Sequence, residues 1–201
     1  MSIAARSTSR DFESRFTSRD LERLPAVEGI RYEIVDGNLY VSKQPHWHHQ
    51  YASDEAIWAL RVWDKQTGLG TVLSVPGLVF TEDNDVVPDV VWISRARLAA
   101  VADAAGHLTA APELVVEVLS PGLENERRDR EVKRALYARQ GVEEYWIIDW
   151  LRRAVDVYRR IENDLALVET LTGEAVLTTP LLPDFALPIA GLWAPTLDER
   201  V

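Results

Sequence analysis

The chain has 201 residues, of which 47% are hydrophobic and 27% are charged, and its formal net charge is −10 at pH 7. Because it contains no cysteine, a disulfide framework, a zinc–thiolate site and a thiol nucleophile are excluded, and its acidity argues against indiscriminate coating of nucleic acid. A chain of this length and hydrophobicity suits one domain, so we predict a flexible segment over residues 1–16 and a single domain over 17–201.

The longest uncharged apolar stretch is too short to cross a membrane. It covers residues 185–195, "FALPIAGLWAP", and contains two prolines, whereas a spanning helix needs about 20 apolar residues. The start of the chain lacks the apolar run of a secretory signal. We therefore expect a soluble, unprocessed, cytoplasmic protein with no membrane partner.

The N-terminal half is predicted to contain a hairpin, a long helix and several strands. Residues 17–25, "TSRDLERLP", have the Thr or Ser start and the proline stop of a short helix. Residues 31–42, "RYEIVDGNLYVS", alternate around Asp-Gly, which is a strong hairpin signal. Apolar residues then recur at helical spacing from 45 to about 66. Three β-rich runs follow, at 71–75, 77–81 and 86–93, separated by Pro76 and by the acidic turn "EDND".

The C-terminal half is predicted to contain a βαβ unit. After a short helix and a loop within residues 94–110, the run "PELVVEVLS" (112–120) reads as a buried strand, with a charged helix at about 124–140 and a strand at 143–149. This order predicts a right-handed crossover between parallel strands. A strand is also predicted at 154–160, and residues 165–171 and 175–182 are predicted to add edge strands or a last hairpin. The fold class is therefore α/β, a mixed sheet flanked by helices.

Three of the predicted strand regions carry a carboxylate among apolar residues. Glu33 lies between Tyr32 and Ile34, Asp89 interrupts a Val-rich run, and Glu117 sits inside "LVVEVL". Each could simply lie on the solvated face of its strand. That explanation is weakest for Glu117, because its neighbours leave no polar face for the strand to show to water, and burying an unpaired carboxylate costs on the order of several kcal/mol.

A divalent cation would explain a close pair of carboxylates. If Asp89 and Glu117 lie on neighbouring strands, their like charges must share a proton or a cation. Mg²⁺ or Mn²⁺, held by one or two carboxylates, water and a substrate phosphate, suits such oxygen ligands. Hydrolysis of a phosphodiester is the chemistry that this combination serves best.

Lys133, on the predicted helix, is the candidate cation for such a site. It lies one turn after Asp129 and one turn before Tyr137, so the three share a helix face, beside a core-facing stripe of Val132, Ala135 and Leu136. The alternative from spacing alone is an exposed ion pair between Lys133 and Asp129, worth roughly a few tenths of a kcal/mol.

Nearly the whole chain, from about Asp20 onward, resembles the Uma family of endonucleases, a branch of the PD-(D/E)XK nuclease superfamily. The resemblance implies a restriction-endonuclease-like core, a metal-dependent endonuclease activity, Mg²⁺ or Mn²⁺ as cofactor and DNA as substrate. The segments that carry it are "YEIVDG", "VVPDVVWI", "ELVVEVLSP", "RDREVKRALYARQGVEEYWIID" and "LLPDFALPI".

Carried over by position, the resemblance implies roles for four residues. Pro88-Asp89 matches the "PD" element and Glu117 the acidic member of (D/E)XK, which makes Asp89 and Glu117 the implied metal ligands. The sequence departs from the basic pattern at Leu119, where the superfamily places a lysine. The resemblance implies that Lys133 on the following helix replaces it. Glu33 matches a further acidic residue of the family.

Five other residues are candidate substrate contacts: His49, Arg127, Arg128, Arg130 and Tyr137. Trp150, beside "LRR", is assigned to the core or a turn, with stacking on a base as the alternative. A homodimer is expected by analogy, because cutting both strands of DNA needs two sites. The competing functions are a nucleic-acid-binding or regulatory module without useful turnover, which the acidic net charge favours, and a structural interaction domain.

Overall fold

The computed structural model describes residues 15–195 and shows the mixed α+β fold that the sequence predicts. Residues 1–14, most of the segment predicted to be flexible, lie outside the described part of the chain. Twelve strands are described: β1 (Arg31–Val35), β2 (Asn38–Ser42), β3 (Gly70–Ser74), β4 (Leu78–Thr81), β5 (Asn84–Val86), β6 (Val90–Ser94), β7 (Leu114–Val118), β8 (Glu144–Asp149), β9 (Ala154–Ile161), β10 (Asp164–Thr172), β11 (Val176–Leu177) and β12 (Leu187–Pro188).

The central sheet has six strands in the order β10-β9-β8-β7-β6-β3. Only β7 and β8 are parallel within it, with Leu114 opposite Glu144 and Val118 opposite Ile148. The predicted parallel pair of the βαβ unit is therefore confirmed. All five residues of β7 are buried, so neither face of this strand meets water, and alternate side chains enter two separate core clusters, with Val116 in one and Val115 in the other.

A smaller sheet has four strands in the order β2-β1-β5-β4. All four come from the N-terminal half of the chain. The hairpin of β1 and β2 closes through Asp36 and Gly37, whose φ angles of 51° and 76° are the two left-handed values of a tight hairpin turn. The predicted "EDND" turn is too long, because Asn84 starts β5. Its side chain donates to Thr81 Oγ1 and accepts from the amide of Asp36, which joins β5 to both neighbours.

The long helix α2 (Trp47–Thr67) packs against one face of the central sheet. Its N-cap, His46, accepts a hydrogen bond from the amide of His48, and its C-cap, Gly68, adopts φ 65°. Within residues 15–195, no helix combines the length and the hydropathy that crossing a bilayer requires. The helical segments are α1 (Ser18–Leu21), α2 (Trp47–Thr67), α3 (Arg95–Val101), α4 (Leu123–Arg127), a π-helical segment (Arg128–Lys133), α5 (Arg134–Gln140) and a final 3₁₀ turn (Ile189–Leu192).

The helix after β7 is not a uniform α-helix. Its π-helical segment, Arg128–Lys133, inserts a wider turn between α4 and α5. In consequence Lys133 is buried with Leu136, while Val132 and Ala135 are only half-buried. The core-facing stripe predicted from α-helical spacing is confirmed at Leu136 and, in part, at Val132, which packs half-buried against the same core cluster, whereas half-buried Ala135 is not part of that cluster.

Candidate active site

The antiparallel pairing of β6 and β7 brings Asp89 beside Glu117. Val90 pairs with Val116, so Asp89, one residue earlier, falls next to Glu117, one residue later. The amide of Val118 donates to Asp89 Oδ2 over 2.9 Å, which fixes this carboxylate against the end of β7. The sequence predicts a shared proton or cation if Asp89 and Glu117 lie on neighbouring strands, and the pairing of β6 with β7 meets that condition.

Glu33 and Lys133 reach the same place from other elements. Glu33 lies on β1 of the smaller sheet, and Lys133 ends the π-helical segment. The side chains of Glu33, Asp89, Glu117 and Lys133 all line one open cavity of about 250 Å³. All four are at least 94% buried, with exposed fractions of 1%, 6%, 3% and 1% in that order, so the alternative that these carboxylates face bulk solvent is wrong.

Lys133 bridges two of the carboxylates. Its Nζ lies 2.7 Å from Glu33 Oε1 and 2.9 Å from Glu117 Oε1. Asp129 pairs instead with its neighbour Arg128, whose Nε lies 2.9 Å from Asp129 Oδ1. The alternative of an exposed Lys133–Asp129 pair is therefore wrong, because the helix turns Lys133 inward against strands that spacing along one helix does not reveal.

Burial and like charges make Glu117 a weaker acid than an ordinary glutamate. Its pKa is raised from 4.5 to about 7, chiefly by burial, against the opposing charge of Lys133 and with help from the carboxylates of Asp89 and Asp129. Glu33 behaves differently, because the charges of Lys133 and Arg128 outweigh the effect of burial and hold its pKa below the usual value. The two carboxylates that share Lys133 therefore differ in their affinity for a proton.

The cation and the phenol of the site keep their protons. Burial alone would lower the pKa of Lys133, but Glu117, Glu33 and Asp129 raise it above the ordinary value. The pKa of Tyr137 is raised by burial and by Glu117, and its hydroxyl donates to Glu117 Oε1 over 2.8 Å. Lys133 is thus a fixed ammonium, and Tyr137 a fixed hydrogen-bond donor that holds Glu117 from behind.

His49 lies on α2 against Asp89. Its Nε2 is 3.3 Å from Asp89 Oδ2, and Arg31 approaches the other oxygen, Oδ1, to 3.6 Å. Burial raises the pKa of Asp89. The hydrogen bond and charge of His49, together with the hydrogen bond from the Val118 amide, lower it by more than burial raises it, so the pKa of Asp89 is below its usual value. His49 Nδ1 is buried and lacks a hydrogen-bond partner among residues 15–195.

The candidate substrate contacts separate into two groups. His49 and Arg128 line the cavity, and Arg128 also donates to Ser42 Oγ over 2.8 Å. Arg127, Arg130 and the fully buried Tyr137 do not line it. Arg127 is exposed and pairs with Glu131, and Arg130 turns toward β8 and β9.

Arg130 is expected to stabilise the fold. It contacts Asp156, Asp149 and Glu126, and its side chain is only 21% exposed. Replacing it (Arg130→Met) leaves two nearly buried aspartates short of a partner and should lower the free energy of unfolding by about 3 kcal/mol. Arg127→Met, which removes an exposed pair, should cost less than about 1 kcal/mol. Urea unfolding of both variants measures the difference, and a loss of DNA affinity by Arg130→Met at unchanged stability would contradict it.

Sequence reasoning missed Arg31 as a residue of the site. It lines the cavity and lies 3.6 Å from Asp89 Oδ1. The available signal was its place two residues before Glu33 on β1, since alternate residues of a strand share a face. The sequence indicated Asp129 only as a neighbour or ion-pair partner of Lys133. In the structure Asp129 is buried and accepts a hydrogen bond from Arg128.

Among residues 15–195 no group of three or more His, Asp or Glu side chains is arranged to hold a metal ion. A site built on Asp89 and Glu117 would therefore supply two protein carboxylates. That number suits Mg²⁺, which commonly keeps several waters and binds one or two carboxylates together with substrate phosphate.

A match to one solved structure supports the fold. A crystal structure described as "a putative nuclease belonging to DUF820" from Anabaena variabilis superposes with a TM-score of 0.70 at 19% identity, covering 88% of this chain and 97% of that one. The type IIG restriction endonuclease BpuSI aligns with a TM-score of 0.37 at 15% identity, over 71% of this chain and 16% of that one. No curated protein matches the chain significantly.

A family model described as "Uma2: Putative restriction endonuclease" matches residues 18–190. That range contains β1, β6, β7 and the helix that carries Lys133, so it includes every element of the cavity described above. The fold prediction, a mixed sheet flanked by helices with a restriction-endonuclease-like core, is confirmed. The chain belongs to the Uma2 family.

Proposed function

We propose that the protein is a metal-dependent endonuclease that hydrolyses phosphodiester bonds of DNA. One observation carries the proposal. Asp89 and Glu117, on adjacent strands, meet Lys133 and Glu33 from two other elements in a single open cavity. Folded proteins rarely bury several carboxylates together without a partner for their charge, and the cation paired with Glu117 is the Lys133 that it shares with Glu33.

The residues present fit a hard divalent cation. Glu117 uses Oε1 to accept from Lys133 and Tyr137, whereas its Oε2 takes part in none of the hydrogen bonds found within residues 15–195. Asp89 and Glu117 would hold the ion, and His49, whose Nε2 lies 3.3 Å from Asp89 Oδ2, would keep the Asp89 carboxylate in position. Bound there, Mg²⁺ or Mn²⁺ would polarise a phosphoryl oxygen and lower the pKa of a coordinated water.

Lys133 acts in the proposal as a fixed positive charge. Because its pKa is raised, it cannot serve as the general base at neutral pH, and its ammonium would stabilise the negative charge that builds up on the phosphoryl group. Glu33 touches Lys133 and is a positioning residue. Tyr137 holds Glu117 Oε1 in place, which leaves the other oxygen free.

Cations that line the cavity would receive the phosphate backbone. Arg31, Lys43 and Arg128 all line it. The pKa of Arg128 is raised by Asp129 and Glu33 despite its burial, so its guanidinium stays charged, and its bond to Ser42 fixes its direction. Local positive charge of this kind reconciles a DNA substrate with a net charge of −10.

Loss of the Asp89 carboxylate should remove activity. With supercoiled plasmid in Mg²⁺ or Mn²⁺, Asp89→Asn should cut at least ~100-fold more slowly than the wild type, because one of two charged ligands is lost. Asp85→Asn, on β5 outside the cavity, is the control and should retain the wild-type rate. EDTA should stop cleavage by every variant.

Two outcomes would contradict the proposal. Cleavage that persists in Asp89→Asn at the wild-type rate would remove the site assignment. Salt-sensitive DNA binding by the wild type without cleavage in either metal would favour a binding or regulatory module.

A homodimer, with one cavity for each strand of a duplex, remains a prediction. Sedimentation equilibrium measures the oligomeric state, and a monomer that makes double-strand breaks in one event would contradict the prediction.

A further inference from the structure

Four aromatic rings gather where the chain enters α2 and where β8 ends. His46 stacks on Trp150 with ring centroids 4.9 Å apart and an interplanar angle of 13°. His48 meets the same indole edge-on, also at 4.9 Å. Trp47 packs against His48 at 3.8 Å. We call these four residues the aromatic cluster.

The aromatic cluster lies next to the cavity that holds Asp89 and Glu117. Trp150 Nε1 donates to the carbonyl oxygen of Leu119 over 2.9 Å, and Leu119 stands between Val118 and Ser120, which both line the cavity. On the other side, Pro45 and His49 flank the cluster in sequence and also line the cavity. The backbone of the strand that carries Glu117 therefore fixes the position of the indole.

Part of the ring surface of the cluster stays open to solvent. Trp47 is 45% exposed and His46 is exposed. Trp150, predicted as a core or turn residue, lies in a turn and packs half-buried against the core. A second cavity, of about 210 Å³, opens beside them between His48, Trp150 and the exposed Arg153. Exposed aromatic faces beside a cation are a combination that stacks nucleobases and contacts the sugar-phosphate backbone.

We propose that the aromatic cluster is a stacking platform for an unpaired base of the DNA strand whose phosphodiester occupies the carboxylate cavity. Inside a duplex both faces of each base are covered by neighbouring base pairs, so a protein ring can stack only on a base that is unpaired, terminal or flipped out. The substrate is then single-stranded or locally unpaired DNA. This inference rests on the proposed function, because it takes the DNA strand on the platform to be the strand that is cut. It adds the class of substrate to that function.

Binding without cleavage tests the platform. A short fluorescently labelled single strand and its duplex are titrated with the full-length protein in EDTA, and fluorescence anisotropy is measured. Trp47→Ala and His46→Ala, both at exposed positions, should each weaken single-strand binding roughly tenfold. Trp47→Phe should restore most of it. Trp58→Ala, at a 66% exposed tryptophan three helical turns farther along α2, is the matched control and should bind as the wild type does.

An abasic position moved along the single strand locates the contact. For the wild type, an abasic nucleotide at one position should lower the affinity for the single strand as much as Trp47→Ala does. In Trp47→Ala the same abasic nucleotide should cause no further loss of affinity, because the ring that stacks on that base is already absent. Equal binding of single strands by the wild type, Trp47→Ala and His46→Ala would overturn the inference, as would an equal loss for duplex and single strand, or no single-strand binding at all.

The outcomes separate the platform from the nuclease. Ring-dependent single-strand binding by a protein that cuts nothing in Mg²⁺ or Mn²⁺ would support the platform and remove the proposed activity. Metal-dependent cleavage whose preference for single strands is unchanged in Trp47→Ala would support the activity and overturn the platform.

Discussion

Lys133→Met should slow cleavage severely and also destabilise the protein strongly. The ammonium lies within 3 Å of both Glu33 and Glu117, and it is 1% exposed. Its removal leaves two carboxylates buried without their cation, a change that costs about 3–5 kcal/mol of the free energy of unfolding. Loss of the fixed charge near the phosphoryl group should slow cleavage by roughly 10²–10³-fold. Urea unfolding and plasmid cleavage measure the two effects.

A second substitution separates these two effects. Lys133→Met combined with Glu33→Gln removes one cation and one anion, so stability should partly return while cleavage stays as slow as in Lys133→Met. Arg139→Met, on the same helix, breaks an exposed pair with Asp36 and should change stability by less than about 1 kcal/mol. A folded Lys133→Met protein with wild-type cleavage would remove Lys133 from the site.

Glu117→Gln should have opposite effects on activity and on metal-free stability. An amide oxygen can still accept from Lys133 and Tyr137, as Oε1 does now, so the local hydrogen bonds survive. The charge that would hold the metal is lost, and cleavage should fall at least ~100-fold. At pH 8 in EDTA, however, the variant should be more stable than the wild type.

The sign of that stability difference follows from the pKa of Glu117. Because the folded-state pKa is raised from 4.5 to about 7, the folded protein holds this proton more tightly than the unfolded chain. Ionisation of Glu117 therefore costs stability, increasingly as the pH rises from 4.5 to about 7, and the cost is absent below that range. The shift corresponds to roughly 3 kcal/mol at pH 8, so the advantage of Glu117→Gln should grow from near zero at pH 4.5 to that value.

Glu144→Gln is the matched control for this experiment. Glu144 is also buried in the central sheet, on β8, but its two oxygens accept from Trp146, Arg159 and Thr179. Its charge is thus satisfied, and its replacement should destabilise the protein at pH 8 while cleavage per folded molecule is unchanged. If Glu117→Gln were less stable than the wild type in EDTA at pH 8, the ionised carboxylate would be stabilising, and a raised pKa for Glu117 would be wrong.

Much of the fold could be predicted because local signals and tertiary packing agree. The hairpin of residues 31–42 is specified by Asp36-Gly37, and the long helix by apolar spacing that ends at Gly68. The wholly buried β7 follows from its run of Val and Leu. The convergence of Asp89 and Glu117 required only that their strands be neighbours, which they are.

Partners that come from distant parts of the chain could not be predicted. Nothing near Arg130 in the sequence indicates Asp156 on β9 as its partner, and nothing near Lys133 indicates Glu33 on β1. Asn84 belongs to a strand only because its amide group bridges two neighbours. In each instance a residue's role depends on what packs against it, which a local pattern does not contain.

The helix that carries Lys133 is sensitive to chain length as well as to residue identity. Lys133, at the end of the wider turn, and Tyr137, one α-helical turn later, both contact Glu117 Oε1. Inserting or deleting one residue between them would rotate one relative to the other by about 100°, so only one could keep that contact. Single-residue insertions and deletions, which loops absorb readily, should therefore be selected against in this helix even where individual substitutions are tolerated.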